Sequence, residues 1–231
     1  MTHQTTHATI VQMRPLTDSI FQLILAPEHY IDYQAGQYLK LMLGDTAFCY
    51  SIANAPLGTR QYELHIRHSH DAKRLFDDMK QQDIVHLQAP FGHCDVSHLD
   101  PQKPILFIAA GTGFSQIHAM IEQLLASGGT RRFELIWSAR NQSDLYLDEK
   151  VKQWQNRVHR FQYISLIPNL HQETPARVVL SRHASSLHDW QMVLSGPFDM
   201  VYSTRDQLVA HGVSVKHLYS DAFQFEEQSH K

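Results

Sequence analysis

Three short stretches contain residues whose types and spacing can do chemistry. The first is Ala109-Ala110-Gly111-Thr112-Gly113-Phe114-Ser115. It joins an apolar run at residues 105–109 to a segment with helical periodicity. Glycines let backbone approach a ligand closely, and a helix N-terminus offers free N–H groups and partial positive charge to an anion such as a pyrophosphate. Gln116 breaks the GxGxxG pattern, so strand, loop and helix in order carry the reading. The plain alternative is a glycine-rich turn capped by Ser115. The second stretch is Ser195-Gly196-Pro197-Phe198-Asp199-Met200, also between a strand and a helix. Two such loops at the carboxyl ends of parallel strands can frame one ligand, although either is also an ordinary turn. The third is Phe48-Cys49-Tyr50-Ser51-Ile52-Ala53-Asn54. A ring beside a hydroxyl suits a flat heterocycle, but a Tyr next to a Ser is more often plain core.

Other chemistries find less support. Cys49 and Cys94 are the only two cysteines and form no CxxC, which argues against a cysteine-built zinc or iron–sulfur site. Histidine occurs 17 times, with a tempting group at His65, His68 and His70. The odd spacing of His65 and His68 places them on opposite faces of a strand, so no metal site is expected. The net charge is −3 without a like-charge block, which argues against a nucleic-acid partner or a membrane surface. There is no apolar leader at the N-terminus and no run of 18 apolar residues, and the cytoplasm is the expected compartment.

The elements that must position these stretches fall into two groups. Strand-like segments at 8–13, 20–25, 37–43, 47–53, 62–68 and 84–87 are separated by turn residues such as Pro27, Gly36, Gly44 and Gly58. Leu39, Leu41 and Leu43 alternate with Tyr38, Lys40 and Met42, as a strand with one buried face requires. Six such strands predict a small antiparallel β barrel, interrupted by one helix with Asp71 as its cap and Leu75, Phe76 and Met79 on its inner face. Beyond a linker at residues 100–104 the pattern alternates. Strands are predicted at 105–109, 133–137, 161–167 and 192–194. One helix carries Ile117, Met120, Ile121, Leu124 and Leu125 and stops at Gly128-Gly129; others lie at 147–157 and between Pro197 and Gly212. This predicts a doubly wound parallel-sheet α/β domain at residues 101–231 after a barrel at residues 1–100.

Seven motifs in order give the chain a family resemblance. They are Ala35-Gly36-Gln37-Tyr38, Tyr50-Ser51-Ile52-Ala53, Glu63-Leu64-His65-Ile66, Pro90-Phe91-Gly92, Gly111-Thr112-Gly113-Phe114-Ser115, Gly196-Pro197-Phe198-Asp199-Met200 and Ser220-Asp221-Ala222-Phe223. Together they resemble the ferredoxin–NADP reductase superfamily, and within it the bacterial NAD(P)H:flavin oxidoreductases of the Fre and LuxG type. The resemblance implies a flavin-binding barrel followed by a nucleotide-binding domain. It implies that Ser51 bonds near flavin N5 as the catalytic residue, and that Tyr50 and Phe223 flank the isoalloxazine ring. Ile52, Ala53 and His65 belong to the same flavin-side motifs. Gly111, Thr112, Gly113 and Phe114 would hold the pyrophosphate of the nicotinamide nucleotide, and Gly196, Pro197 and Phe198 would border its nicotinamide.

Departures from the family pattern refine the expectation. The family's Arg for the flavin phosphate is Phe48 here, so riboflavin, FMN or FAD is expected to come and go as a substrate. Lys40 and Arg67 are the cations placed to alter this. A Cys common before the second glycine loop is Ser195, and a glycine common before the first is Ala110. No Asp or Glu in residues 137–142 claims the adenosine ribose, so NADPH is expected beside NADH, with Arg140 and Ser138 at its 2′-phosphate. The expected reaction is hydride transfer from nicotinamide C4 to flavin N5, with reduced flavin passing to a flavin-dependent monooxygenase, ferric iron or oxygen. The rival readings are a reductase with tightly bound FAD that feeds an oxygenase partner, and a non-catalytic flavin or nucleotide sensor.

Overall fold

The computed structural model describes residues 3–69, 72–171 and 173–224. His70 and Asp71, named above as a metal candidate and a helix cap, lie outside the described residues. The chain separates into two compact units, residues 1–97 with 115–128 and residues 98–114 with 129–231.

The first unit holds β1 (Gln4–Pro15), β2 (Ile20–Pro27), β3 (Tyr38–Leu43), β4 (Thr46–Ser51), β5 (Tyr62–Arg67), α1 (Lys73–Met79) and β6 (Ile84–Phe91). The six strands form one antiparallel half-barrel sheet in the order β4-β3-β6-β1-β2-β5. Leu39 and Leu41 are fully buried, while Tyr38, Lys40, Met42 and Leu43 are half-exposed. The period-2 pattern therefore holds until the turn, where Leu43 escapes the core. Leu75, Phe76 and Met79 of α1 are buried with it. Tyr62 is fully buried and its hydroxyl both accepts from the Ile31 N–H (2.9 Å) and donates to the Ile31 carbonyl (2.8 Å). Burial pushes its pKa up to about 12, so it stays a neutral donor. Both cysteines are free thiols.

The second unit is built on β7 (Ile105–Ala110), β8 (Phe133–Ser138), β9 (Phe161–Leu166), β10 (Gln191–Ser195) and β11 (Leu218–Tyr219). All are parallel, in the order β11-β10-β7-β8-β9. The near-continuous burial of β7, β8 and β10 is what a parallel sheet covered on both faces requires. The chain also forms α2 (Phe114–Ala126), α3 (Asp148–Arg157), the single turn α4 (Pro168–His171), α5 (Pro175–His183) and α6 (Phe198–Ala210). By packing, residues 115–128, which hold α2 beyond Phe114, go with the first unit, although their sequence pattern reads as part of the α/β half. The sequence reading leaves α5 and β11 unassigned. Thr174 caps α5 by accepting the Arg177 N–H, and Pro175 opens its first turn. The linker is tied down by buried Gln191, which accepts the Asp100 N–H (2.9 Å) and donates to the Asp100 carbonyl (2.7 Å). Among the described residues no helix is long and apolar enough to cross a membrane.

Tyr62→Phe removes the one hydroxyl that bonds both the N–H and the carbonyl of Ile31, with little change of shape. Each orphaned group costs about 1–3 kcal/mol, so the variant is expected to lose about 2–6 kcal/mol of stability by urea unfolding. A loss under about 0.5 kcal/mol would mean that water replaces the hydroxyl.

Candidate functional site

In the α/β unit the register brings three carboxyl ends side by side, with Ala109 paired to Ser195 and Ala110 to Ser138. The strand order reverses between β7 and β10, the point where an open α/β sheet forms a ligand crevice. Residues Gly111–Gly113 make one 3-10 turn leading into α2, and no side chain caps that turn. Its N–H donors therefore remain available to an anion. The Trp137 indole donates to the Gly111 carbonyl (3.0 Å), and fully buried Phe114 stacks on Trp137 at 3.9 Å. Phe114 thus holds the loop from behind, while Gly111, Thr112 and Gly113 are half-exposed.

The two glycine loops interlock. A Cβ on Gly113 would stand 2.3 Å from the Ser195 carbonyl oxygen, and one on Gly196 would stand 3.0 Å from the Ala110 Cβ. The bare backbone at Gly113 is thus required first by the neighbouring loop, before any pyrophosphate. Pro197 caps α6, Asp199 lies in its first turn, and Phe198 is exposed. Beyond β8, Arg140 is exposed, whereas Ser138 is buried and donates to the Ala109 carbonyl (3.1 Å). Phe223 follows β11 at the same edge of the sheet. The Tyr202 hydroxyl donates to the Ala222 carbonyl (2.7 Å), and Arg205 lies over the rings of Tyr202 and Phe223.

In the first unit, cross-strand pairing sorts the third stretch by face. Tyr50 and Phe48 lie opposite Leu39 and Leu41 and pack against the barrel core; Ser51 and Cys49 lie opposite Tyr38 and Lys40 on the other face. Tyr50 and Ser51 therefore present opposite sides of one strand. Burial pushes the Tyr50 hydroxyl up to about 12 and raises the Cys49 thiol, with Lys40 opposing the latter. The Ser51 hydroxyl has no hydrogen-bond partner among the described residues, which suits a ligand atom. Ile52 and Ala53 are fully buried. The two cations of interest are engaged elsewhere: Lys40 over the Phe91 ring at 4.3 Å, and Arg67 with the Ser19 hydroxyl at 3.1 Å. Gly36, at φ +114°, packs so tightly that a Cβ would lie 2.5 Å from the Cys94 carbonyl, and Gln37 donates to the Gly92 carbonyl (3.0 Å). The Ala35–Tyr38 and Pro90–Gly92 motifs are thereby two sides of one turn cluster.

His65 is buried and bonds Glu63 at 2.8 Å. Burial alone would raise the Glu63 pKa. The hydrogen bond and charge of His65, the Gln22 amide and the charge of His118 outweigh it and hold the carboxyl at about 2. Three α2 residues that the sequence reading missed join this region. Gln116 donates to the Gly36 (2.8 Å) and Cys94 (3.1 Å) carbonyls, His118 Nδ1 donates to the Ala53 carbonyl (2.6 Å), and the Glu122 carboxylate accepts the Ala55 N–H (3.2 Å). The one signal for them was the polar residue at 116 where GxGxxG would have a glycine.

Residues 107–206 match the family model described as the oxidoreductase NAD-binding domain. The chain is 31% identical to the reductase component 1 of terephthalate 1,2-dioxygenase from Comamonas sp. over 215 residues, covering 89% of this chain and 63% of that protein. It is 25% identical to an NAD(P)H-flavin reductase of Vibrio harveyi, covering 96% of this chain and 99% of that one. Among solved structures, a cytochrome P450 reductase of Amycolatopsis superposes with a TM-score of 0.83 at 21% identity, over 95% of this chain and 69% of that one, a likeness of fold.

The depressed Glu63 pKa fixes a sign for stability against pH. The Glu63 carboxylate stabilises the fold above about pH 4.5, and that contribution is lost as pH falls towards about 2. Glu63→Gln is expected to be less stable than the parent by about 3 kcal/mol at pH 7. Urea midpoints of the two proteins should converge between pH 5 and pH 2, spanning about 2–3 pH units. A gap that stays constant over that range would show that the Glu63 charge does not matter.

Proposed function

We propose that this chain is a member of the ferredoxin–NADP reductase-like family and an NAD(P)H:flavin oxidoreductase that takes flavin as an exchangeable substrate. The observation that carries the reading is the end-to-end match with a flavin reductase, with the unpartnered Ser51 hydroxyl at the matching motif. The chemistry supplied by the two bound cofactors is transfer of a hydride from nicotinamide C4 to flavin N5. The protein's part is positioning, which can lower a barrier by about 7–11 kcal/mol at best. Ser51 donates towards the hydride-accepting nitrogen and Phe223 borders the flavin ring, while Tyr50, on the core-facing side of β4, backs the strand that presents Ser51. Ile52 and Ala53 continue the backbone beyond Ser51, and His65 bonds Glu63, whose carbonyl takes the Ala53 N–H. The N–H groups of Gly111, Thr112 and Gly113, backed by Phe114, take the pyrophosphate. Gly196, Pro197 and Phe198 border the nicotinamide. Arg140, with Ser138 beneath it on β8, takes the 2′-phosphate of NADPH.

Phe48 argues for exchange. It offers no donor or charge to a flavin phosphate and packs towards the barrel core, while Lys40 and Arg67 have other partners. The reduced flavin would pass to a flavin-dependent monooxygenase, ferric iron or oxygen. The similarity to a dioxygenase reductase component favours a second reading, direct electron delivery from bound FAD to an oxygenase partner. Within these 231 residues Cys49 and Cys94 cannot supply a four-cysteine cluster.

Ser51→Ala is expected to lower kcat roughly tenfold to a hundredfold, about 1.4–2.8 kcal/mol, with a smaller change in flavin KM, because the bond strengthens as charge develops. Steady-state kinetics with riboflavin checks it; an unchanged kcat removes Ser51 from the reaction. Gly113→Val drives a side chain into the Ser195 backbone and is expected to weaken NADH binding at least about tenfold, a cost of about 1.4 kcal/mol or more. Riboflavin binding should be retained when the two ligands are titrated separately. Equal loss of both would mean the variant is misfolded or the ligands are wrongly assigned.

A further inference from the structure

Buried polar groups outside the residues assigned above gather on α2 and β5. His118 is fully buried and its Nδ1 donates to the Ala53 carbonyl at 2.6 Å; a carbonyl only accepts, so this nitrogen carries the proton. Its Nε2 faces Glu122 at 3.7 Å, and Glu122 accepts the Ala55 N–H. The His118 ring meets the edge of His65 at 5.5 Å, and His65 is bonded to Glu63. The Ala53 peptide is held from two sides, its N–H by the Glu63 carbonyl (2.7 Å) and its carbonyl by His118. The neighbouring groups are also fixed: the Ile52 N–H by the Gln37 carbonyl (3.0 Å) and the Asn54 carbonyl by the Tyr33 hydroxyl (2.9 Å). Of the bonds that fix residues 52–55, those to the Ala53 carbonyl and the Ala55 N–H come from α2.

We propose that His118 is a positioning residue for flavin reduction, acting through the Ala53 carbonyl to hold the Ser51 hydroxyl in place. The proposal rests on the flavin-reductase reading above. An apolar residue at 118 would leave a buried carbonyl unbonded, and the segment would gain alternatives to its bound geometry. Ser51 lies two residues upstream with its side chain free, so its direction follows from this backbone. An amide at position 118 can imitate the role, because Asn Nδ2 stands where His Nδ1 does.

The test compares the parent, His118→Leu and His118→Asn by two readouts, well below each protein's unfolding temperature. The first is hydrogen–deuterium exchange of the amides in residues 52–55 without ligand. The second is kcat and KM for riboflavin with saturating NADH. His118→Leu is expected to speed exchange there at least about tenfold and to lower kcat about tenfold with KM changed less than about threefold. His118→Asn should recover most of both losses. Unchanged exchange in His118→Leu overturns the proposal, as does faster exchange with kcat at the parent level, or an Asn variant no better than Leu. A parent protein that oxidises no NADH with riboflavin fails the reaction reading instead, and the exchange data then decide separately whether His118 orders the segment.

Discussion

The peptides of residues 52–55 leave the edge strand β4 and are buried where no sheet ladder can bond them. Each orphaned N–H or carbonyl there would cost about 1–3 kcal/mol, so the surroundings must supply partners one at a time. Gln37, Glu63, Tyr33, His118 and Glu122 do so, from the turn before β3, from β5, from the loop before that turn and from α2. Much of the first unit's odd chemistry follows from this constraint. Glu63 is ionised despite burial because its carboxylate anchors His65 and Gln22 beside the same peptides. Beside this segment the Ser51 hydroxyl has no hydrogen-bond partner among the described residues, and the proposed reaction uses it.

The α/β unit meets a different demand. A parallel sheet buries its strands on both faces, so polar chemistry is confined to its carboxyl edge. There the loops after β7 and β10 touch so closely that a Cβ on Gly113 would run into the Ser195 backbone, and one on Gly196 would press on the Ala110 Cβ at 3.0 Å. Behind them Trp137 and Phe114 close the space with stacked rings. No side chain caps the turn that carries the loop donors, and Gly111, Thr112 and Gly113 stay half-exposed. Rigid backing of this kind is what a pyrophosphate site needs, since its donors must not relax onto one another.

Strong periodicity and turn residues were enough to place most of this fold. The i, i+3, i+4 pattern of α2 and the alternation of Leu39 and Leu41 reflect burial that the sequence records directly. Helix α5 went unread because its buried face, Ala176, Val178 and Val179, is too short to show a period, although Thr174-Pro175 is a recognisable start. Strand β11 is two residues long and is held by its neighbour β10, which no local pattern reports. At the site, motif spacing brought out the glycine loops and the Tyr50-Ser51 pair. It did not reveal that adjacent strand residues face apart, that Phe114 backs its loop, or that polar α2 residues serve the Ala53 and Ala55 peptides. The last of these depends on partners 60 or more positions away in the chain.

The central claim is that this chain reduces flavin that it does not keep. The most direct measurement is NADH oxidation by the purified, gel-filtered protein with and without added riboflavin. The expected result is a nearly colourless protein with negligible oxidation alone and a saturable rise in rate as riboflavin is added. Oxidation that does not respond to added flavin, or that is sustained by FAD surviving gel filtration in stoichiometric amount, would contradict it.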